Sequence, residues 1–274
     1  MVAYLCLPCY GLAMESYVQR NAQAWDWEVG QKNIWTDGVT EEQIEKARKG
    51  ELDMVLSPFK QVPPSWVADI KGKEVLALAS GGGQQAVLLS LAGAHVTVLD
   101  ISEKQLAQDK SYAVSLGLDL KTVQADMRDL SLFADERFDL IYNPTSTCFI
   151  DQVQSMYEHC FRILKRGGSF LTSVTNPVLY VFDEKKALHD KLRVKYTLPY
   201  SDSTSLGKKE LERRLAKHDT IEFSHTLSDL LGGLTKAGFL IADLYTDRSG
   251  AMMLDSYIQD CYLALRCLKS DGSL

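Results

Sequence analysis

Residues 74–100 read EVLALASGGGQQAVLLSLAGAHVTVLD, and this stretch decides the fold. An apolar run stops at Ser80 and three consecutive glycines, and a helix-like apolar segment over residues 86–92 follows. A second run, over residues 96–99, is rich in β-branched side chains and ends on Asp100. This pattern predicts the order strand, glycine turn, helix, strand, with an acid at the tip of the second strand.

The glycines and the acid together indicate a ligand that contains adenosine. Gly81 and the two glycines after it lack a Cβ and tolerate positive φ angles, so the backbone can approach a ligand closely. An acid at the end of the next strand can accept hydrogen bonds from both hydroxyls of a ribose. The spacing of Gly81, Gly83 and Ala86 also satisfies the loose glycine pattern of dinucleotide-binding proteins, so a nicotinamide or flavin oxidoreductase stays open at this point.

Composition and charge restrict the class of protein. The chain has 274 residues with 46% hydrophobic and 24% charged side chains, as ordinary globular proteins have. A net charge of −6 argues against wholesale binding of nucleic acid, which normally needs a basic face.

No window is apolar for long enough to cross a bilayer, and the first residues lack the basic start of a signal peptide, so we expect a cytoplasmic protein. Cys6 and Cys9 form a CxxC with no strand before it and no second ligand pair, so we expect neither a redox nor a metal site there.

From residue 73 onward, strand-like and helix-like segments alternate, which predicts a mostly parallel sheet covered by helices on both faces. The linker between the last two strands is too short for a helical crossover, so we expect these strands to be antiparallel neighbours. The predicted strands are 74–79, 95–100, 121–125, 138–142, 169–175, 239–246 and 257–267, and the predicted helices between them are 84–92, 103–117, 151–164 and 226–237.

Two segments stand apart from this alternation. Residues 1–66 are helix-like, with a good helix start at Thr40, and we expect them to form a helical N-terminal cap on a main domain over residues 67–270. Residues 177–225 are polar and locally basic. They are either a solvated helical excursion or a lid over the ligand site, since long insertions in compact domains are often functional.

The order of these elements resembles that of the class I S-adenosylmethionine-dependent methyltransferases over about residues 70–268. The glycine turn follows the first strand, Asp100 ends the second, Asp126 follows the third, Asn143 follows the fourth, and the sequence LKRGG precedes the fifth. The segments VTVLDISEKQL and QADMRDLS are similar to a bacterial subgroup that acts on small molecules. The resemblance implies a Rossmann-like α/β sheet with an antiparallel last strand, S-adenosyl-L-methionine as the cofactor, and methyltransferase activity.

The resemblance also implies which residues bind the cofactor. The glycines let the backbone approach the methionine and the ribose, and Asp100 accepts the ribose hydroxyls. Ile101 and Met127 hold the adenine between them, Asp126 accepts from its amino group, and Asn143 lies near the transferable methyl group. The complete expected set is Ala79, Ser80, Gly81, Gly82, Gly83, Asp100, Ile101, Gln105, Asp126, Met127 and Asn143.

Two positions depart from the family's pattern. An acid usually stands two residues before the first glycine, and this chain has Ala79 there, so the contact to the methionine end falls to Ser80 or to a backbone group. The motif after strand four, which begins at Asn143, lacks the aromatic residue of enzymes that methylate exocyclic amines of bases. We therefore expect a small-molecule acceptor, with neither nucleic acid nor a membrane as partner.

Methyl transfer from a sulfonium releases a neutral leaving group, so positioning alone can supply much of the catalysis, roughly 7–11 kcal/mol. A base is needed only for acceptors that must lose a proton. His225 lies between the segment 177–225 and the next helix, and it is the candidate catalytic base. The aromatic candidates for the acceptor side are Tyr17, Trp25, Trp35, Tyr180 and Tyr200.

Two other functions remain as alternatives. An oxidoreductase would need a second nucleotide-binding half and a parallel sixth strand, whereas this chain closes with a predicted hairpin. A non-catalytic sensor of S-adenosylmethionine or its demethylated product is favoured by the missing acid at Ala79. No residue indicates the acceptor atom or the oligomeric state.

Overall fold

The computed structural model of the protein describes residues 16–31, 37–187, 189 and 191–270. Cys6, Cys9 and Trp35 lie outside the described residues, and the expectations for them remain predictions.

A seven-stranded sheet forms the centre of the molecule. Its strands are β1 (Glu74–Leu78), β2 (His95–Asp100), β3 (Leu120–Gln124), β4 (Phe138–Asn143), β5 (Leu164–Thr175), β6 (Leu240–Asp247) and β7 (Tyr262–Leu268). They lie in the order β3-β2-β1-β4-β5-β7-β6. Strands β1 to β5 are parallel, and β7 runs antiparallel to both β5 and β6. The predicted Rossmann-like sheet with its antiparallel end is confirmed.

Helices follow most of the strands and cover the sheet. The α-helices are α1 (Ser16–Gln31), α2 (Glu41–Arg48), α3 (Gln85–Leu91), α4 (Glu103–Leu116), α5 (Gln154–Ile163), α6 (Glu184–Ala187), α7 (Asp202–Ser205), α8 (Lys208–Ala216), α9 (Gly233–Ala237) and α10 (Met252–Asp255). Short 3₁₀ turns lie at Pro64–Trp66, Thr147–Phe149 and Pro177–Val181, and a π-helical turn lies at Ser228–Gly232. Among the described helices, none is both long and apolar enough to pass through a bilayer.

Local sequence explains where helices α2 and α4 begin. The Thr40 side chain accepts the Gln43 N–H, and the Gln43 side chain returns a bond to the Thr40 backbone, which is a capping box. Ser102 caps α4 by accepting the Gln105 N–H, and Gly117 ends α4 in the left-handed conformation at φ 67°. The helix start predicted at Thr40 is confirmed, and the Ser102 cap fixes the start of α4 two residues after Asp100.

Both faces of the sheet are buried, which explains why β1 reads as continuously apolar. Leu76 and Leu78 point into one core cluster, whereas Val75 and Ala77 point into the other. Successive side chains of a strand alternate between faces, so the two clusters lie on opposite sides of β1. Because β1 is packed on both faces, Ser80 and the glycine turn that follow it start from a firmly held strand end.

Two predicted strand starts were wrong by five residues each. The fifth strand was expected from residue 169, but β5 begins at Leu164, whose carbonyl accepts Lys269 Nζ at 2.8 Å. The last strand was expected from residue 257, but it begins at Tyr262. The short helix α10 stands before this strand, and its Asp255 carboxylate accepts the Ser249 N–H at 2.8 Å.

Candidate active site

A cavity of about 680 Å³ lies at the carboxyl ends of the parallel strands. Its lining includes Ser80 and Gly81 after β1, Asp100 at the end of β2, Ser146 after β4 and Thr175 at the end of β5. The strand order changes direction between β1 and β4, and ligands of open α/β sheets bind at that point. The volume suits a small-molecule site, for which roughly 300–1,000 Å³ is usual.

Two carboxylates hold the glycine turn through its backbone. Gly81 N–H donates to Asp100 Oδ2 at 3.0 Å. Gly82 N–H and Gly83 N–H donate to the two oxygens of Asp109, each at 3.0 Å. Three consecutive N–H groups are thereby fixed by side chains of β2 and α4, so the turn is preorganised for a ligand.

Gly81 leaves no room for a side chain. A Cβ added there would lie 2.7 Å from Gln105 Cβ and 3.1 Å from Asp100 Oδ2. The sequence predicted that a glycine here lets a ligand come close to the turn. The structure shows that it also lets Asp100 and Gln105 pack directly against the turn. Gly81 lines the cavity, whereas Gly82 and Gly83, both in the described chain, do not. Their role toward the cofactor stays a prediction.

Asp100 presents a carboxylate with spare acceptor capacity. Its Oδ1 accepts the Ser102 N–H at 2.9 Å while its Oδ2 accepts the Gly81 N–H at 3.0 Å. Burial raises the pKa of this carboxyl, and the backbone N–H bonds oppose that rise. A carboxylate has about four acceptor positions. Asp100 lines the cavity and can accept further hydrogen bonds, as ribose hydroxyls would require.

Asp109 is a site residue that the sequence analysis missed. It is fully buried, and burial raises its pKa to about 7, against the lowering effect of the Gly82 and Gly83 N–H bonds. The signal was present in the helical periodicity. Asp109 lies one turn after Gln105 on the buried face of α4, where an acid must have a partner.

Most of the other predicted cofactor residues line the cavity, namely Ala79, Ile101, Gln105, Asp126 and Met127. The Gln105 Oε1 atom is buried without a hydrogen-bond partner among the described residues.

Asp126 and Asn143 are engaged by neighbouring side chains. Asp126 Oδ2 pairs with Arg128 Nη2 at 2.6 Å, so Arg128 orients that carboxylate. Asn143 lies in the described chain but does not line the cavity. Its Nδ2 donates to the Leu78 carbonyl at 2.9 Å and its Oδ1 accepts from Thr172 Oγ1 at 2.9 Å. It thereby ties the ends of β1, β4 and β5 together.

His225 is buried beside the cavity wall. Its Nε2 donates to the Thr147 carbonyl at 3.0 Å, and burial lowers its pKa. His225 is a described residue that does not line the cavity, and its role as base remains a prediction.

Helix α1 and the described residues of the segment 177–225 (177–187, 189 and 191–225) cover the cavity, and we call them together the roof. Asn21 of α1 donates to the Ile221 carbonyl at 3.0 Å and accepts the Ile221 N–H at 2.7 Å, which joins the two parts. Trp25, Tyr180 and Tyr200 line the cavity as proposed for the acceptor side. Tyr17 instead donates to Asp151 at 2.8 Å.

The residues present fit S-adenosylmethionine. Asp100 offers acceptors for ribose hydroxyls, Ile101 and Met127 offer apolar surface for adenine, and the orphaned Gln105 Oε1 offers one further acceptor. Ala79 holds a left-handed conformation at φ 48°, a strained geometry of the kind found at ligand sites. Within the described part of the chain, no group of three or more metal-binding side chains is present.

Comparisons with known proteins identify the class. The family described as "Methyltransferase domain" matches residues 76–172. An uncharacterized methyltransferase, YbaJ of Bacillus subtilis, is 42% identical over 93% of this chain and 100% of its own length. A ubiquinone biosynthesis O-methyltransferase of Pseudomonas syringae is 30% identical over 46% of this chain and 57% of its own. The chain belongs to the class I S-adenosylmethionine-dependent methyltransferases.

Solved structures show the same fold. An S-adenosylmethionine-dependent methyltransferase from Mesorhizobium loti has a TM-score of 0.57 at 17% identity, covering 74% of this chain and 94% of that one. The 1,6-didemethyltoxoflavin-N1-methyltransferase of Burkholderia thailandensis has a TM-score of 0.57 at 17% identity, covering 99% and 94%. This protein is therefore an enzyme whose cofactor is S-adenosyl-L-methionine, which excludes the oxidoreductase alternative and disfavours the sensor.

Proposed function

We propose that the enzyme transfers a methyl group to a small molecule held between the sheet edge and the roof. One observation carries this proposal: the same cavity is lined by Gly81 and Asp100 at the sheet edge and by Trp25, Tyr180 and Tyr200 of the roof. A cofactor and an acceptor can thus meet in one space. A roofed cavity of this size favours a small acceptor over a polymer. A cytoplasmic location stays a prediction from the sequence.

The predicted cofactor residues take the following roles in this proposal. Asp100 accepts the ribose hydroxyls, Ile101 and Met127 enclose the adenine, and Ser80 lies next to the methionine end. Gly82, Gly83 and Asn143 act by shaping the sheet edge. We also propose the division into a cap over residues 1–66 and a main domain over 67–270, with residues 177–225 as its lid.

The bound cofactor supplies a methyl group activated on a positively charged sulfur. The chain's contribution is to hold the acceptor atom in line with that methyl group and to exclude water. Alignment of this kind can contribute roughly 7–11 kcal/mol to the rate. Exclusion of water helps because charge is dispersed as the methyl group moves.

The ribose assignment is tested by Asp100→Ala. Loss of a charge-assisted acceptor should weaken the binding of S-adenosylmethionine and S-adenosylhomocysteine at least tenfold, about 1.4 kcal/mol. Isothermal titration calorimetry measures both affinities. Asp119→Ala is the matched control. Asp119 is an exposed acid immediately before β3, the strand next to β2, and it does not line the cavity. Equal affinities in the Asp100 variant and the wild type would contradict the assignment.

A further inference from the structure

The aromatic side chains that line the cavity are gathered on one side of it. They include Trp25 of α1, Phe149 of the turn after β4, and Tyr180, Tyr196 and Tyr200 of the segment 177–225. The lining residues of the cofactor side fall within residues 79–85, 99–105 and 125–127, and no aromatic residue stands in these described segments. The side of the cavity that faces the acceptor is therefore its aromatic side.

Four of these rings form two pairs in the cavity wall. Trp25 meets Phe149 edge to face, with ring centroids 5.3 Å apart and planes inclined by 84°. Tyr180 and Tyr200 are stacked, with centroids 5.4 Å apart and an inclination of 25°. We call these four rings the aromatic platform. Tyr196 is left out, because the lysine before it already places its Nζ atom 4.6 Å from the centroid of that ring.

Hydrogen bonds to roof acids hold the two stacked tyrosines in place. Tyr200 Oη donates to Asp202 Oδ1 at 2.6 Å, and Asp202 is a fully buried, described residue that does not line the cavity. Tyr180 Oη donates to Glu222 Oε2 at 2.9 Å. The hydroxyl of Tyr200 is thus turned to the buried acid, and its ring is the part that a ligand meets. Rings that are already ordered lower the entropic cost of binding.

The aromatic platform adjoins the place where the methyl group is proposed to lie. Phe149 ends the turn after β4, and β4 is the direct neighbour of β1 in the sheet. Neighbouring strands are only about 4.8 Å apart. Ser80 after β1 and Ser146 after β4 both line the same cavity as Phe149. A molecule held against this ring therefore lies beside the methionine end proposed at Ser80.

Aromatic rings favour one kind of partner beyond the burial of apolar area. The face of a ring is negative and its edge is positive, so ring pairs gain energy in stacked and edge-to-face arrangements. A saturated ring of the same skeleton is puckered and lacks this charge distribution. A wall that already contains one stacked pair and one edge-to-face pair offers both arrangements to a further flat ring.

We propose that the acceptor carries a planar aromatic ring, which binds against the aromatic platform and thereby brings the atom to be methylated beside the cofactor. The inference rests on the proposed function and adds the class of acceptor. An open-chain acceptor would bury apolar surface against the same wall but would gain no ring contacts from it.

The test compares ligands of equal skeleton on the full chain saturated with S-adenosylhomocysteine. Calorimetry measures the affinity of 2-naphthol against decahydro-2-naphthol, and of 2-phenylethanol against 2-cyclohexylethanol. The saturated partners are at least as apolar, so burial of area alone favours them. We expect each aromatic ligand to bind at least tenfold more tightly than its saturated partner. Equal or weaker binding of the aromatic ligands, or no binding at millimolar concentration, would overturn the inference.

Trp25→Leu assigns the preference to the platform. This change removes the indole that lines the cavity and meets Phe149, so the preference for aromatic ligands should fall at least threefold. Trp27→Leu is the matched control on the same helix. Trp27 is a described residue outside the cavity lining, and its ring stacks on His218 with centroids 4.3 Å apart. The control thus also removes a ring contact of α1, and it should leave the preference unchanged.

A second pair of variants separates the ring of Tyr180 from its hydroxyl. Tyr180→Phe keeps the ring and loses only the bond to Glu222, so it should keep most of the preference. Tyr180→Leu removes the ring and should lower the preference at least threefold. A preference that survives in both Trp25→Leu and Tyr180→Leu would overturn the inference, since the platform would then not be its source.

The affinity for S-adenosylhomocysteine separates the inference from the function on which it rests. It should change less than threefold in all four variants, and a circular-dichroism melt shows that the compared proteins are folded. A wild-type protein that binds S-adenosylhomocysteine without preferring aromatic ligands overturns the inference alone. Failure of the folded wild-type protein to bind S-adenosylhomocysteine would instead contradict the proposed function.

Discussion

Two fully buried aspartates hold the two sides of the cavity in different ways. Asp109 accepts backbone N–H groups of the glycine turn, at 3.0 Å each. Asp202 accepts from side chains, with Tyr200 Oη at 2.6 Å and Arg214 Nη1 at 3.0 Å, and also from the Glu222 N–H at 2.8 Å. The glycine turn is thus fixed through its backbone, whereas the roof depends on a charged side-chain network.

The two networks also differ in their reach along the chain. The bonds that hold the glycine turn lie between residues 81 and 109. The roof instead joins α1 to residue 221 through Asn21, across 200 positions. Long-range contacts close larger loops and cost more conformational entropy. We therefore expect the roof to unfold locally before the glycine turn does.

The largest expected effect is that of Asp202→Ala. The change removes a buried carboxylate that accepts hydrogen bonds from Tyr200, Arg214 and the Glu222 N–H, and hydrogen bonds to charged groups contribute about 1.5–3 kcal/mol each. The roof should open, so that proteases cleave within residues 177–225 and methyl transfer is lost. Calorimetry should still find the affinity for S-adenosylhomocysteine within threefold of the wild type.

The control for stability is Asp219→Ala. Asp219 is exposed and lies 3.8 Å from the same arginine, Arg214. Exposed ion pairs contribute at most about 1 kcal/mol, so urea unfolding should change by less than that. Equal losses of stability in the two variants would show that the buried network is not what holds the roof.

An intermediate effect is expected from the titration of Asp109. Burial raises the pKa of its carboxyl from 3.8 to about 7. Between these values the folded protein holds a proton that the unfolded chain has released, so the contribution of Asp109 to stability is complete below pH 4 and is lost as the pH rises through 7. The slope is at most about 1.4 kcal/mol per pH unit.

Urea unfolding of the wild type and of Asp109→Asn from pH 4.5 to 7.5 isolates this contribution. The stability of the wild type relative to the variant should decline steadily as the pH rises across that range, since asparagine does not titrate. A difference in unfolding free energy that is the same at every pH would contradict the raised pKa.

The smallest expected effect is that of His225→Gln. Because His225 Nε2 contacts the Thr147 carbonyl and the ring does not line the cavity, we expect a loss of about 1 kcal/mol of stability. The rate of S-adenosylhomocysteine formation should change less than threefold. A hundredfold fall in kcat with normal folding would instead establish the predicted catalytic base.

The sequence predicted the order of elements around the glycine turn well because its determinants are local. A strand, a glycine turn, a helix and an acid follow one another within residues 74–100, and the Ser102 cap follows directly. The roles of Asp109 and Glu222 could not be predicted in the same way. Asp109 meets the glycine turn only through the packing of α4, and Glu222 reaches Tyr180 across 42 positions.

The site predictions show the same division. Asp100 and Gly81 lie at the cavity as the motif indicates, whereas Asn143 turns inward to join three strands. A motif states which residues stand at the edge of a sheet. It does not state which way each side chain points, because that depends on partners from distant segments.

Calorimetric titration of S-adenosylhomocysteine into Asp100→Ala and Asp202→Ala, side by side, tests most directly whether the sheet edge binds the cofactor independently of the roof. We predict at least tenfold weaker binding for the first variant and a change of less than threefold for the second. Unchanged binding in Asp100→Ala together with lost binding in a folded Asp202→Ala would contradict the account.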